Sequence, residues 1–208
     1  MNMSAMAALA PVIPVLTIKR LTDAVPLARA LVRGGLPVIE ITLRTGPALE
    51  ALQAITGEVE GAVVGAGTVL TGAQFDQVKR AGARFAVSPG CMPSLALAAS
   101  ASGLPFLPGV QTVSEAMELA ERGFNLLKFF PAGAAGGLAW LKAVAAPLPE
   151  VRFCPTGGVG ADTASAYLAL ANVTCVGGSW VAPAEAVAGQ DWTRIERLAA
   201  AAARLKRP

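Results

Sequence analysis

Eight times along the chain a short run of β-branched and apolar residues gives way to a longer stretch of helical periodicity, and this alternation restricts the fold more than any other feature. Strands are expected at 12–16, 38–42, 62–66, 85–88, 105–107, 126–130, 152–155 and 173–177. Helices are expected between them at 22–34, 47–59, 71–81, 93–101, 112–122, 137–146 and 162–170, with a last one over 191–204. Several helices open on cap-type residues or proline, and Gly34, Gly82, Gly103 and Gly123 stand where helices should stop. Thr112 followed by Glu115 has the spacing of a capping box. Eight beats suit a closed parallel barrel better than an open doubly wound sheet, and no GxGxxG turn follows the first strand. The expectation is an α/β chain: one (β/α)8 TIM barrel domain over residues 1–208, with a short N-terminal helix.

Composition narrows the function. Hydrophobic residues make up 54% of the 208 residues and charged ones 15%, enough for a substantial core. Aromatics are scarce and the net charge is only +3, with no dense basic stretch, so no nucleic-acid partner is expected. The basic end, 204–208, reads as a solvated helix terminus. Cys91, Cys154 and Cys175 are odd in number and widely spaced, which indicates neither a disulfide framework nor a zinc site and suits a reducing cytoplasm. The apolar opening segment has no basic residue before it and is too short to span a bilayer, so no membrane association is expected. The chain has no histidine at all. Ser–His and Cys–His machinery and His-ligated metals are thereby removed, and proton transfer falls to a carboxylate, an amine, a thiol or water.

Barrels of this kind collect function at the C-terminal ends of their strands. Those ends hold Lys19, Glu40, Thr42, Arg44, Thr68, Ser88, Gly109, Lys128, Thr156 and Ser179, together with several glycines. Lys128 lies inside an apolar strand, between Leu127 and Phe129. Burial there strips hydration from the ammonium and favours the neutral amine that attacks a ketone. An inert buried ion pair with Glu40 is the competing reading. Glu40 alternates with Ile39 and Ile41; if those two pack against helices, Glu40 points into the barrel, as the one carboxylate at any strand end. It is either a proton shuttle beside the amine or a counter-ion for Arg44 or Lys128. Thr156-Gly157-Gly158 and Gly177-Gly178-Ser179 follow the last two strands, where barrels bind phosphate through exposed backbone N–H groups. Arg44 would then be free to clasp a carboxylate, with Thr68 as a second donor. Cys154 and Cys175 read as small buried hydrophobes. A sugar-phosphate isomerase or epimerase using Glu40 as base, and a phosphosugar-binding protein without turnover, fit the same residues.

With these residues assembled, the chain resembles the 2-keto-3-deoxy-6-phosphogluconate (KDPG) aldolases, also described as 4-hydroxy-2-oxoglutarate (KHG) aldolases, from Pro11 to about Arg204. The likeness rests on Glu40-Ile41-Thr42-Leu43-Arg44-Thr45, Val64-Gly65-Ala66-Gly67-Thr68, Ser88-Pro89-Gly90, Lys128-Phe129-Phe130-Pro131-Ala132, Pro155-Thr156-Gly157-Gly158 and Gly177-Gly178-Ser179-Trp180. The resemblance implies a class I aldolase that cleaves KDPG to pyruvate and glyceraldehyde 3-phosphate. Lys128 would form the Schiff base and Glu40 would be the general acid and base. Arg44, Thr68 and Thr156 would hold the carboxylate, and Gly157, Gly158, Gly178 and Ser179 the phosphate. The resemblance further implies no metal or other cofactor, a homotrimer, and a place in the Entner–Doudoroff route. Arg44 and Ser179-Trp180 favour the phosphogluconate branch over the phosphogalactonate one. One departure is visible: where the family often carries an acidic residue, Gly133 stands, in a loop expected to lie outside the chemistry.

Overall fold

Each expected beat folds as a strand followed by a helix, and neighbouring strands pair in parallel in chain order. The computed structural model describes residues 1–206. Arg207 and Pro208, the tip of the expected basic helix terminus, lie outside the described residues. The strands are β1 (Val12–Leu16), β2 (Val38–Thr42), β3 (Val63–Gly67), β4 (Phe85–Val87), β5 (Phe106–Leu107), β6 (Gly109–Val110), β7 (Leu126–Phe129), β8 (Arg152–Pro155) and β9 (Val176–Gly178). The helices are α1 (Met3–Ala7), α2 (Leu21–Arg33), α3 (Ala48–Glu58), α4 (Gly72–Arg80), α5 (Pro93–Ser102), α6 (Val113–Glu121), α7 (Gly137–Val144), α8 (Ala164–Leu168), α9 (Ala184–Ala188) and α10 (Trp192–Ala203).

Pro108 splits the fifth stave into β5 and β6, because proline has no N–H for the ladder. Its carbonyl still accepts from Lys128 N at 2.8 Å, so pairing runs on to β7. β9 pairs with β1, and bridges from Phe153 to Val173 and from Thr156 to Gly177 join β8 to the last stave. Eight staves thereby close into the expected TIM barrel. The last stave begins later than expected, since 173–174 join only through a bridge. Strand β3 likewise runs one residue further, through Gly67, and the turn begins at Thr68. Helix α9 lies outside the expected set: the five residues Ala-Glu-Ala-Val-Ala are too short to show a helical period.

The closed sheet divides the apolar residues into two sets. Ile39, Ile41, Leu127, Phe129 and Phe153 face outward into the main core under the helices. Ile13, Val38, Phe85, Val87, Leu107, Leu126, Cys154 and Cys175 fill the barrel interior. Met3, Met6 and Ala7 of α1 join the interior set, so the leading helix plugs the end of the barrel from which the strands start. Among the described residues, no helix is long and apolar enough to cross a membrane.

The capping box at α6 forms as expected. Gln111 N and Thr112 N donate to Glu115 Oε2 at 2.7 and 2.8 Å, and Glu115 N donates to Thr112 Oγ1 at 3.3 Å. Partial burial pushes the Glu115 carboxyl up, but the two backbone donors and the Thr112 hydroxyl together hold it below the usual carboxylate value. Its contribution to stability is therefore complete above that range and is lost as pH falls through the lowered value. Glu115→Ala is expected to cost about 1 kcal/mol at neutral pH. Urea unfolding across pH should show that penalty shrinking below about pH 4.

Candidate active site

The inward parity of β2 and β7 determines what stands at the barrel mouth. Val38 lies in the interior set and Ile39 and Ile41 lie outside it, so Glu40 points inward, two residues nearer the mouth than Val38. In β7, Leu126 is inside and Leu127 and Phe129 are outside, which turns Lys128 inward as well. The two staves are second and sixth of eight, on opposite sides of the barrel. Lys128 Nζ meets Glu40 Oε1 at 3.2 Å and Oε2 at 3.5 Å, with both side chains buried. The Phe130 ring, of the same parity as Lys128, stands 5.4 Å from Nζ. Leu127 and Phe129, expected to dry the amine, point away from it; closure of the barrel over the apolar floor and Phe130 bury it instead.

The turn after β8 is built for an anion. Gly157 and Gly158 have φ of 87° and 76°, a conformation that favours glycine. The carbonyls of Thr156 and Gly157 accept from Ala132 N and Gly133 N at 2.8 and 2.9 Å, whereas the N–H of Gly158 donates to no acceptor among the described residues. A methyl group at Gly157 would lie 3.0 Å from the Phe130 ring, so this turn adjoins the amine through one aromatic side chain. Gly133, expected outside the chemistry, is part of this structure: its N–H holds the Gly157 carbonyl, and a methyl on it would lie 3.3 Å from Gly158 Cα. On the last stave, Ser179 is exposed and its N–H is likewise unengaged among the described residues. Gly178 has a packing reason, since a side chain there would overlap the Trp180 indole.

Thr156 is buried on β8's inward parity, its hydroxyl 3.3 Å from the Cys154 carbonyl. Thr68, directly beyond β3, has φ 62°, which a β-branched residue rarely adopts. Such strain persists where the surroundings fix it, typically at functional sites. Arg44 lies on the loop after β2, exposed and without an ion pair among the described residues. Sequence reasoning did not single out Phe130, although its parity with Lys128 was readable. It also missed the reason for Gly177, where a Cβ would lie 2.3 Å from Thr156 Oγ1. A cavity of about 600 Å3 opens beside Ser179 and Trp180, between β1, α2 and α9; Lys128 and Glu40 do not line it. The thiols offer no rival nucleophile: Cys154 is buried in the interior, and burial and then the Glu118 charge push Cys91 up to about 11.

A lysine amine facing one carboxylate at the mouth of a closed parallel barrel presents the groups used by a class of protein, the lyases that form a Schiff base with a ketone. The chain belongs to the KDPG and KHG aldolase family, whose model matches residues 3–198. It is 50% identical over 189 residues to the KHG/KDPG aldolase of Escherichia coli, covering 91% of this chain and 89% of that one. The KDPG aldolase of Legionella pneumophila, with pyruvate captured at low pH as a covalent carbinolamine intermediate, superposes with TM-score 0.95 at 48% identity over 98% of both chains. The KDPG aldolase of Zymomonas mobilis with 3-phosphoglycerate gives TM-score 0.93 at 48% identity, over 98% of this chain and 95% of that one.

A buried charge left alone is far more costly than a buried pair. Glu40→Leu is therefore expected to lower stability by about 3 kcal/mol, and Glu40→Leu/Lys128→Met to recover most of that loss in equilibrium urea unfolding.

Proposed function

We propose that residues 1–208 form one class I aldolase domain, which reversibly cleaves KDPG to pyruvate and glyceraldehyde 3-phosphate. The observation that carries this reading is the buried contact of Lys128 Nζ with Glu40 Oε1 at 3.2 Å, in a chain without histidine. A proton passed from the ammonium to the carboxylate leaves a neutral amine beside a carboxylic acid, the two partners that iminium formation needs.

The neutral Lys128 amine attacks the C2 ketone of the substrate, and the alkoxide takes a proton to give a carbinolamine. Glu40 protonates the departing C2 hydroxyl, which leaves as water and creates an iminium. Glu40, now a carboxylate, removes the C4 hydroxyl proton. Those electrons form the aldehyde carbonyl, the C3–C4 bond breaks, and its pair flows into the iminium to give an enamine. Glyceraldehyde 3-phosphate departs. Protonation at C3 and hydrolysis of the resulting iminium release pyruvate and restore the amine.

Arg44, Thr68 and Thr156 would hold the substrate carboxylate, as their place at the strand ends and the unpaired guanidinium support. Gly157, Gly158, Gly178 and Ser179 would hold the phosphate, a reading supported by the N–H groups of Gly158 and Ser179, which are open among the described residues. Anchoring both anions orients the bond that breaks, so binding energy is spent on geometry at the reacting carbons. A homotrimer, which rests on the family resemblance, in the cytoplasm, which rests on the odd number and wide spacing of the cysteines, completes the reading.

Borohydride added with pyruvate should leave a stable secondary-amine adduct on Lys128, located by peptide mass spectrometry; an isomerase or a binding protein would leave that lysine unlabelled. Lys128→Met should abolish both the adduct and pyruvate release from KDPG. Glu40→Gln should lower kcat by about 100-fold or more while KM stays within a few-fold. In light scattering, the homotrimer is read as three times the 21.0 kDa chain mass.

A further inference from the structure

Strand β3 carries glycine at both inward positions above Val63, Gly65 and Gly67. These positions are filled by neighbouring staves instead. A methyl group at Gly65 would lie 2.3 Å from the Phe85 ring, and one at Gly67 would lie 2.1 Å from Glu40 Oε1, 2.6 Å from its Cγ and 2.7 Å from its Cδ. Glu40 is paired in register with Gly65, and Thr42 with Gly67. The Glu40 side chain therefore climbs one layer toward the mouth as it leaves β2, and it lies in the space that a side chain at position 67 would take. Gly67 sits within a strand and outside the left-handed region, so backbone conformation does not account for the glycine.

We propose that Gly67 is a positioning residue for the aldol cleavage: its missing side chain is the seat that holds the Glu40 carboxylate against the Lys128 amine. The proposal rests on the aldolase reading above. A methyl group at this position meets the far end of a flexible side chain, not backbone, so the strain of Gly67→Ala falls on the carboxylate. The amine keeps its place on β7, the anion turns keep theirs, and the acid–base group is displaced.

The test compares Gly67→Ala, Glu40→Gln and the double variant in kcat, KM and pH profile on KDPG, with borohydride trapping of pyruvate run alongside. Gly67→Ala is expected to lower kcat by about 100-fold or more, the scale of a lost acid–base group, with KM within about 3-fold. It should flatten the same limb of the pH profile as Glu40→Gln. In the double variant the two losses should not multiply, because both remove one function. Near-normal turnover of Gly67→Ala overturns the proposal, and so do losses that multiply, since the glycine would then act independently of Glu40. Should Gly67→Ala fail to fold, the same change is made in a Glu40→Ala background, which removes the overlapping atoms. Recovery there of the melting temperature of Glu40→Ala supports the seat; continued unfolding assigns the glycine to backbone packing and overturns it. Absence of a wild-type pyruvate adduct sinks the aldolase reading itself, and the trapping arm shows this independently of the variants.

Discussion

The contact between the Lys128 amine and the Glu40 carboxylate joins groups 88 residues apart in the chain, and it exists because a parallel sheet closes on itself. In an open sheet the second and sixth staves would lie far apart. Closure turns them toward each other, and the inward parity of each strand sends one long side chain into the shared interior. Everything else at the site is arranged around that crossing. The apolar interior set lies beneath it, Phe130 stands beside it, and the glycine turn after β8 lies beyond that ring.

A buried ion pair is poor evidence for stability, since desolvation of both charges offsets most of their attraction. Its value here is chemical. Two groups in hydrogen-bond contact can exchange a proton without drawing one from solvent. The interior is asymmetric to suit. Side chains from Ile13 to Cys175, with the α1 plug below them, fill the end where the strands start, while the opposite end carries threonines, a serine and unengaged backbone N–H groups. Rigidity at one end permits an open, polar mouth at the other.

Much of the fold and of the site is legible in the amino-acid sequence. Periodicity locates the staves, alternation in 38–44 sets Glu40 on the face opposite Ile39 and Ile41, and the spacing of Thr112 and Glu115 gives the capping box. The departures are equally instructive. Leu127 and Phe129 flank Lys128 in sequence yet face the opposite side of the sheet, because neighbours along a strand alternate. Gly133 reads as a loop residue remote from the chemistry, yet its N–H braces the turn of Gly157 and Gly158. That contact links two loops that sequence order places more than twenty residues apart, and no local pattern encodes it.

The sequence alone determined the number of the staves, the alternation that sets Glu40 on the face opposite Ile39 and Ile41, and the chemistry open to a chain without histidine, because these depend on residue type and short-range spacing. Only the tertiary structure decided that the two groups meet at 3.2 Å, that Phe130 stands beside the amine, and that the Glu40 carboxylate lies over Gly67. Those distances follow from how far each stave is offset against its neighbours as the sheet closes. That offset is a property of the whole ring of hydrogen bonds, and no single segment carries it.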